Sequence, residues 1–140
     1  MTSVEEIYSL ENACEALIKM DKVRHVAVIN HLGRLIAGRF RPGITRFLDD
    51  DKIKMVYMQM MLDLRMRQEL DDILGPIDYI TSRRKNVMIL CVPTAHHLVM
   101  ISADRNASSS KIIKRAEELF DIIDLQQNKS TNQKHCEVKN

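Results

Sequence analysis

Residues 49–74, DDDKIKMVYMQMMLDLRMRQELDDIL, are the most informative part of this chain. The spacing of their apolar residues predicts one long helix with two apolar faces, because a helix turns by about 100° per residue. One face carries Ile53, Val56, Tyr57, Met60, Met61 and Leu64, and the nearly opposite face carries Met55, Met58, Leu62, Met66 and Ile73. A surface helix of a monomer needs only one apolar face. The second face therefore predicts a contact with another part of the chain, with another copy, or with a different protein.

A helix and a β-hairpin are predicted before this segment. Residues 3–20 begin with Ser3, and Glu6 three positions later completes a capping-box pattern. Residues 23–30 and 34–40 are rich in β-branched and apolar side chains, and the turn between them contains Gly33, which tolerates a positive φ. We therefore expect a hairpin over residues 23–41.

Three strands and a last helix are predicted after it. The long helix starts at an N-cap among residues 49–51 and ends at Gly75-Pro76. The strands span residues 78–84, 87–92 and 97–102. The middle one is apolar on both faces, which is typical of an inner strand covered by helices on both sides. The first ends in basic residues and is predicted to be an edge strand.

The order of elements predicts an α+β fold, α-β-β-α-β-β-β-α. A five-stranded antiparallel sheet, with the middle helix on one face and both terminal helices on the other, would satisfy every apolar stripe. The last helix starts near Ser108 and ends at Leu125. Residues 126–140 are polar without periodic apolar positions, so we expect one domain over residues 1–125 and a disordered tail or short extension.

The composition indicates an intracellular domain. Hydrophobic residues make up 45% of the 140 residues, which excludes wholesale disorder. Three widely spaced cysteines without a CxxC pair indicate reduced thiols, not a disulfide framework. The sequence has no apolar signal segment and no run long enough for a membrane span, so we expect a cytoplasmic protein.

Motifs of catalytic and metal sites are missing from the sequence. It has no GxSxG, no phosphate-binding glycine loop with lysine and no HExxH. Cys91 lies in the most apolar predicted strand and is expected to be an inert core thiol. We therefore expect no enzymatic activity, no cofactor and no metal. Four histidines lack the i, i+4 spacing of a helical metal site and are expected to be structural or solvated; they are His25, His31, His96 and His97.

The element order and the hairpin resemble the roadblock/dynein light chain family, within the wider profilin-like and longin-like group. Residues 28–38, VINHLGRLIAG, are similar to that family's apolar strand, polar glycine turn and return strand, and the resemblance covers residues 4–124. Residues 47–100 also resemble short uncharacterised archaeal proteins of this type. The resemblance implies dimerisation through the middle helix and the third strand, service as a platform for small GTPases or for motor and membrane-associated complexes, and no catalytic residues. The chain departs from the family in its methionine-rich middle helix and its basic third strand.

The predicted interface combines the second helix face with the third strand. The helix would contribute the side chains named above, and the strand Tyr79, Thr81 and Arg83. One alternative is that the chain itself covers the second helix face. Another is that the basic residues 83–85 prevent the strand from pairing with another chain.

We expect a dimeric scaffold that binds a copy of itself, a related roadblock-like chain or a small GTPase. The first alternative is a sensory domain of profilin-like architecture with a small-ligand pocket between sheet and helix. The sequence argues against nucleic-acid readout, because its basic clusters lack aromatic residues for stacking on bases. These clusters could instead contact an acidic partner; they contain Arg34, Arg39, Arg41, Arg46, Arg83, Arg84 and Lys85.

Overall fold

The computed structural model describes the backbone of residues 2–139 and the side chains of residues 2–125. None of the helices described in it is both long and apolar enough to cross a membrane. In chain order the elements are α1 (Val4–Ile18), β1 (Val23–Ile29), β2 (Leu35–Phe40), α2 (Asp50–Gln68), α3 (Asp71–Leu74), β3 (Ile80–Arg83), β4 (Met88–Pro93), β5 (Leu98–Ala103) and α4 (Ser109–Lys139).

The five strands form one antiparallel sheet in the order β2-β1-β5-β4-β3. The predicted sheet is thereby confirmed, with β4 as an inner strand and β3 at an edge. The β1–β2 turn has the expected form: the Asn30 side chain accepts hydrogen bonds from the backbone N–H groups of Leu32 and Arg34, and Gly33 has φ +77°.

The helices cover the two faces of the sheet as predicted. Side chains of α1 and α4 pack with Val26, Val28, Leu90 and other strand residues in one core cluster. On the opposite face, α2 packs on Ala27, Ile29, Cys91, Leu98 and Met100 in a second cluster. The α+β architecture of the prediction is confirmed.

The predicted N-caps of the first two helices are present. The Ser3 hydroxyl accepts a hydrogen bond from the Glu6 N–H at 3.1 Å, and the Asp49 carboxylate accepts one from the Lys52 N–H at 2.8 Å. Each cap satisfies a backbone donor that lacks a partner within its helix.

The prediction of a single helix over residues 49–74 is wrong. The helix ends at Gln68, and α3 begins at Asp71 after Leu70, which has φ −99° and ψ 6°. The acidic pair Asp71-Asp72 explains the break, because in one continuous helix it would lie near the negative C-terminal end of the dipole. The break places it in the first turn of α3, where negative charge is favourable.

The last helix is longer than predicted, since the backbone of α4 is helical to Lys139 instead of ending at Leu125. The side chains of residues 126–140 lie outside the described part of the chain. The assignment of these residues to a tail outside the domain therefore stays a prediction.

Candidate functional site

The helix α2 is buried on one side. Tyr57, Met61 and Leu64 are buried against the sheet, and Ile53, Val56 and Met60 pack at the margin of the same cluster. These six residues form the first of the two predicted apolar faces. That face is the contact that holds α2 on the sheet.

The second predicted face is exposed. The side chains of Met55, Met58, Leu62 and Met66 have between 55% and 71% of their surface in solvent. The alternative in which the chain itself covers this face is therefore wrong for residues 2–125, the part of the chain whose side chains the structure describes. An apolar row of this kind on the outside of a folded domain is typical of an interaction site.

Exposed apolar residues also follow α2 in the chain. Ile73 is 81% exposed, and Leu70 and Leu74 are also exposed. Sequence reasoning missed Leu70, which lies between α2 and α3, and Leu74, which ends α3. We call these side chains the outer surface; it consists of Met55, Met58, Leu62, Met66, Leu70, Ile73 and Leu74.

The strand β3 offers a free edge, since its only partner among the described residues is β4. Thr81 and Arg83 pair with Leu90 and Met88, which belong to the core beneath α1 and α4. Paired residues point to the same side of a sheet, so Thr81 and Arg83 lie on the sheet face opposite to α2.

Thr81 and Arg83, which were predicted to share an interface with the second face of α2, therefore lie on the other side of the sheet from the outer surface. What β3 adds is its backbone edge. Tyr79 comes just before β3 and is half-exposed.

The turn between β1 and β2 packs against α2. A side chain at Gly33 would place its Cβ 3.0 Å from the Cα of Met58, and the Arg65 guanidinium donates a hydrogen bond to the His31 carbonyl at 2.6 Å. The turn therefore packs directly against the helix that carries the outer surface.

A buried histidine links α2 to the sheet. The Nδ1–H of His25 donates to the Arg39 carbonyl at 2.8 Å, so the Nε2 atom accepts a hydrogen bond from the Tyr57 hydroxyl at 2.6 Å. The His25 ring also stacks on Phe40 with centroids 3.8 Å apart. Burial lowers the pKa of His25 to about 4, so the ring is neutral at pH 7. It is a structural histidine, as predicted.

The arginines of the predicted basic clusters make different contacts in the structure. Arg39 forms ion pairs with Glu11 and Glu15 of α1. Arg41 donates hydrogen bonds to the Ile18 and Met20 carbonyls at the end of α1. These two arginines therefore hold α1 and are not free to bind a partner.

A different set of basic residues surrounds a cavity of about 470 Å³. The cavity lies on the α2 side of the sheet, between the start of α2, residues 40–48 and the β3–β4 turn. Arg46, Arg84 and Lys85 from the predicted clusters line it together with Arg24. Sequence reasoning did not place these residues at one site.

The thiols of Cys14 and Cys91 are buried, and burial raises the pKa of each to about 12. The predicted inert character of Cys91 is consistent with this environment. Among residues 2–125, no three histidine, cysteine or acidic side chains lie close enough together to hold a metal ion.

Residues 2–125 match the sequence profile of a family of unknown function, DUF6659. The chain belongs to this family. No curated protein matches the chain significantly.

Solved structures with the same fold include the Roadblock/LC7 domain from Streptomyces avermitilis, with a TM-score of 0.68, 8% identity and coverage of 84% of this chain and 96% of that chain. Myxococcus xanthus MglB has a TM-score of 0.73 and 14% identity, with coverage of 91% and 95%. The profilin of Schizosaccharomyces pombe has a TM-score of 0.58 and 12% identity, with coverage of 81% and 94%. The predicted roadblock and profilin-like fold is thereby confirmed for this DUF6659 protein.

Proposed function

We propose that this protein is a non-catalytic interaction module that forms a homodimer through the outer surface and the β3 edge. The observation that carries the proposal is the exposed apolar row on α2, on a helix whose other side is already packed on the sheet. The seven apolar side chains of the outer surface are exposed in the folded chain, and exposed apolar surface of this kind marks a contact site for a partner.

The size of the hydrophobic effect supports this proposal. Burial of one such side chain contributes roughly 1.5–3 kcal/mol when it is complete. Four residues of the outer surface are half to three-quarters exposed on α2 alone, so most of that contribution is still available to an interface. Methionine side chains are flexible and adapt well to a partner surface.

A second copy is the partner that satisfies both features at once. In a two-fold symmetric dimer the same patch meets itself, so an apolar row faces an apolar row. Antiparallel pairing of β3 with its counterpart would satisfy the free backbone groups of both edges and extend the sheet across the dimer.

The basic residue Arg83 of β3 restricts the register in which the two β3 strands can pair, but it does not prevent the pairing. Pairing centred on Ser82 places Arg83 opposite Thr81 of the other copy, which avoids like charges in direct opposition. Pairing centred on Arg83 would oppose two guanidinium groups and is disfavoured. We expect the former register.

The finer proposal is that the dimer serves in the cytoplasm as a platform for a small GTPase or pairs with a related roadblock-like chain. Its support is the family resemblance of the sequence together with the shared fold. A surface that accepts a related chain would use the same residues as the homodimer.

The test is the double substitution Met58→Asp and Leu62→Asp in the full chain. We expect this variant to keep its circular dichroism spectrum and to sediment as a monomer where the unsubstituted chain is a dimer. Tyr8→Asp is the control, because Tyr8 is also a large exposed side chain but lies on α1, on the other side of the sheet. It should remain dimeric. A double variant that is unfolded at every concentration, or that remains a dimer, would contradict the proposed interface.

A further inference from the structure

The cavity beside α2 has the size of a small-molecule site. Its volume of about 470 Å³ lies within the range of roughly 300–1,000 Å³ that is usual for such sites. The sheet forms its floor through His25, Met100 and Ser102, and the first turns of α2 form one wall through Ile53 and Val56. The β3–β4 turn and residues 40–48 form the other sides.

The charged side chains that line the cavity are all positive. Arg24, Arg46, Arg84 and Lys85 line the cavity, and no aspartate or glutamate does. Two of these cations have an acidic partner that does not line the cavity. Arg46 forms an ion pair with Asp50 at 2.9 Å, and Arg24 lies 3.6 Å from Asp104. Among residues 2–125, Arg84 and Lys85 have no carboxylate within 4.0 Å, so their charges are available to an anion.

Two of the cationic side chains are held in place. The Arg24 guanidinium donates to the Thr45 carbonyl at 2.8 Å and lies 4.4 Å from the centre of the Phe47 ring. The Arg46 guanidinium lies 4.1 Å from the centre of the Phe40 ring. Groups that are already ordered lose little entropy when a ligand binds, which favours affinity.

The remaining lining is apolar. Ile44, Leu48, Ile53, Val56, Val87 and Ile89 face the cavity. A purely inorganic anion would leave these side chains in contact with water. A ligand with an apolar body would bury them and place its charged group among the cations.

We propose that this cavity binds a small organic anion with an apolar, preferably aromatic, body and a carboxylate, sulfonate or phosphate group that Arg84 and Lys85 hold. The site goes beyond the proposed dimer function, since its lining contains none of the residues of the outer surface. It is the pocket between sheet and helix that a sensory domain would need.

The experiment titrates the full chain with anilinonaphthalene sulfonate, an aromatic anion, by calorimetry. It uses the unsubstituted chain and a Leu62→Asp variant, in which the outer surface is less able to bind the dye. We expect one dye per chain in both proteins. The double substitution Arg84→Gln and Lys85→Gln should weaken binding about tenfold or more, because two charge-assisted contacts are lost. Replacement of the dye by uncharged phenylnaphthylamine should weaken binding comparably.

The control variant is Arg34→Gln with Arg105→Gln, which removes two exposed charges outside the cavity. It should bind the dye as the unsubstituted chain does. The proposal is overturned if both double variants bind equally, if the neutral analogue binds as tightly as the anion, or if no dye binds. Because the dye is titrated into the Leu62→Asp variant as well, failure of this site is distinguishable from failure of the dimer.

Discussion

At the scale of single residues, His25 shows how one buried polar side chain joins three elements. It lies on β1, donates to a carbonyl of β2 and accepts from the Tyr57 hydroxyl of α2. The sequence places His25 in the predicted hairpin. Its hydrogen-bond partner Tyr57 is 32 residues further along the chain, so local sequence patterns could not identify it. The ring is neutral because a charged form would be costly to bury.

The stability of the protein should decrease as the pH falls from about 6.5 to about 4. His25 has an ordinary pKa of 6.5 when exposed and a pKa of about 4 when buried, so between these values only the unfolded chain binds the proton. This difference corresponds to at most roughly 3 kcal/mol. Denaturant unfolding near pH 7.5 and near pH 5 measures it. The loss between the two pH values should be smaller in His25→Gln, by about 2 kcal/mol; an equal loss would contradict this assignment.

Removal of the Tyr57 hydroxyl should destabilise the fold. Tyr57→Phe leaves the His25 Nε2 atom buried without a hydrogen-bond donor, which costs about 1–3 kcal/mol. Denaturant unfolding of this variant is compared with Tyr8→Phe, where the hydroxyl is at an exposed site and its loss should have almost no effect. Equal effects of the two substitutions would show that the His25–Tyr57 hydrogen bond is not important for stability.

At the scale of elements, the contact between the β1–β2 turn and α2 gives a test with a matched pair of glycines. Gly33 and Gly43 have nearly equal positive φ angles, 77° and 79°. A Cβ at Gly33 would lie 3.0 Å from the Met58 backbone, whereas a Cβ at Gly43 would meet nothing within 4 Å.

Gly43→Ala should therefore cost only the backbone strain, about 1–2 kcal/mol. Gly33→Ala should cost clearly more, since the turn must also move away from α2. Both are measured by denaturant unfolding at one protein concentration in the Leu62→Asp background, which is expected to weaken the dimer and so to reduce the contribution of its dissociation. Equal costs would mean that the turn does not support the helix.

The elements themselves were largely predictable. Alternation and turn residues located all five strands. Ser3 and the acidic residues 49–51 marked two helix starts, because capping depends on neighbouring residues only; the structure identifies Asp49 as the second cap. The break between α2 and α3 was missed, because apolar residues at helical spacing continue through it from Met66 to Ile73. The apolar pattern favours one continuous helix at this point. The charges of Asp71 and Asp72 favour a new helix start, because negative side chains are stabilised in the first turn of a helix.

At the scale of the whole molecule, the layers of the fold follow from the number of apolar faces. The terminal helices each need one apolar face, whereas the middle helix has two, and its second face forms the α2 part of the outer surface. The cavity was not predictable in the same way. Arg24, Arg46, Arg84 and Lys85 come from three separate regions of the sequence, and only the assembled sheet brings them to one site.

Sedimentation equilibrium of the full chain, from low to high micromolar concentration, tests the central claim most directly. A homodimer through the outer surface predicts a mass of twice 16.2 kDa that falls toward 16.2 kDa on dilution. The same mass is expected for Tyr8→Asp, and the monomer mass for the Met58→Asp, Leu62→Asp variant. A mass of 16.2 kDa for the unsubstituted chain at every concentration would contradict the claim that the second face of α2 is a homodimer interface.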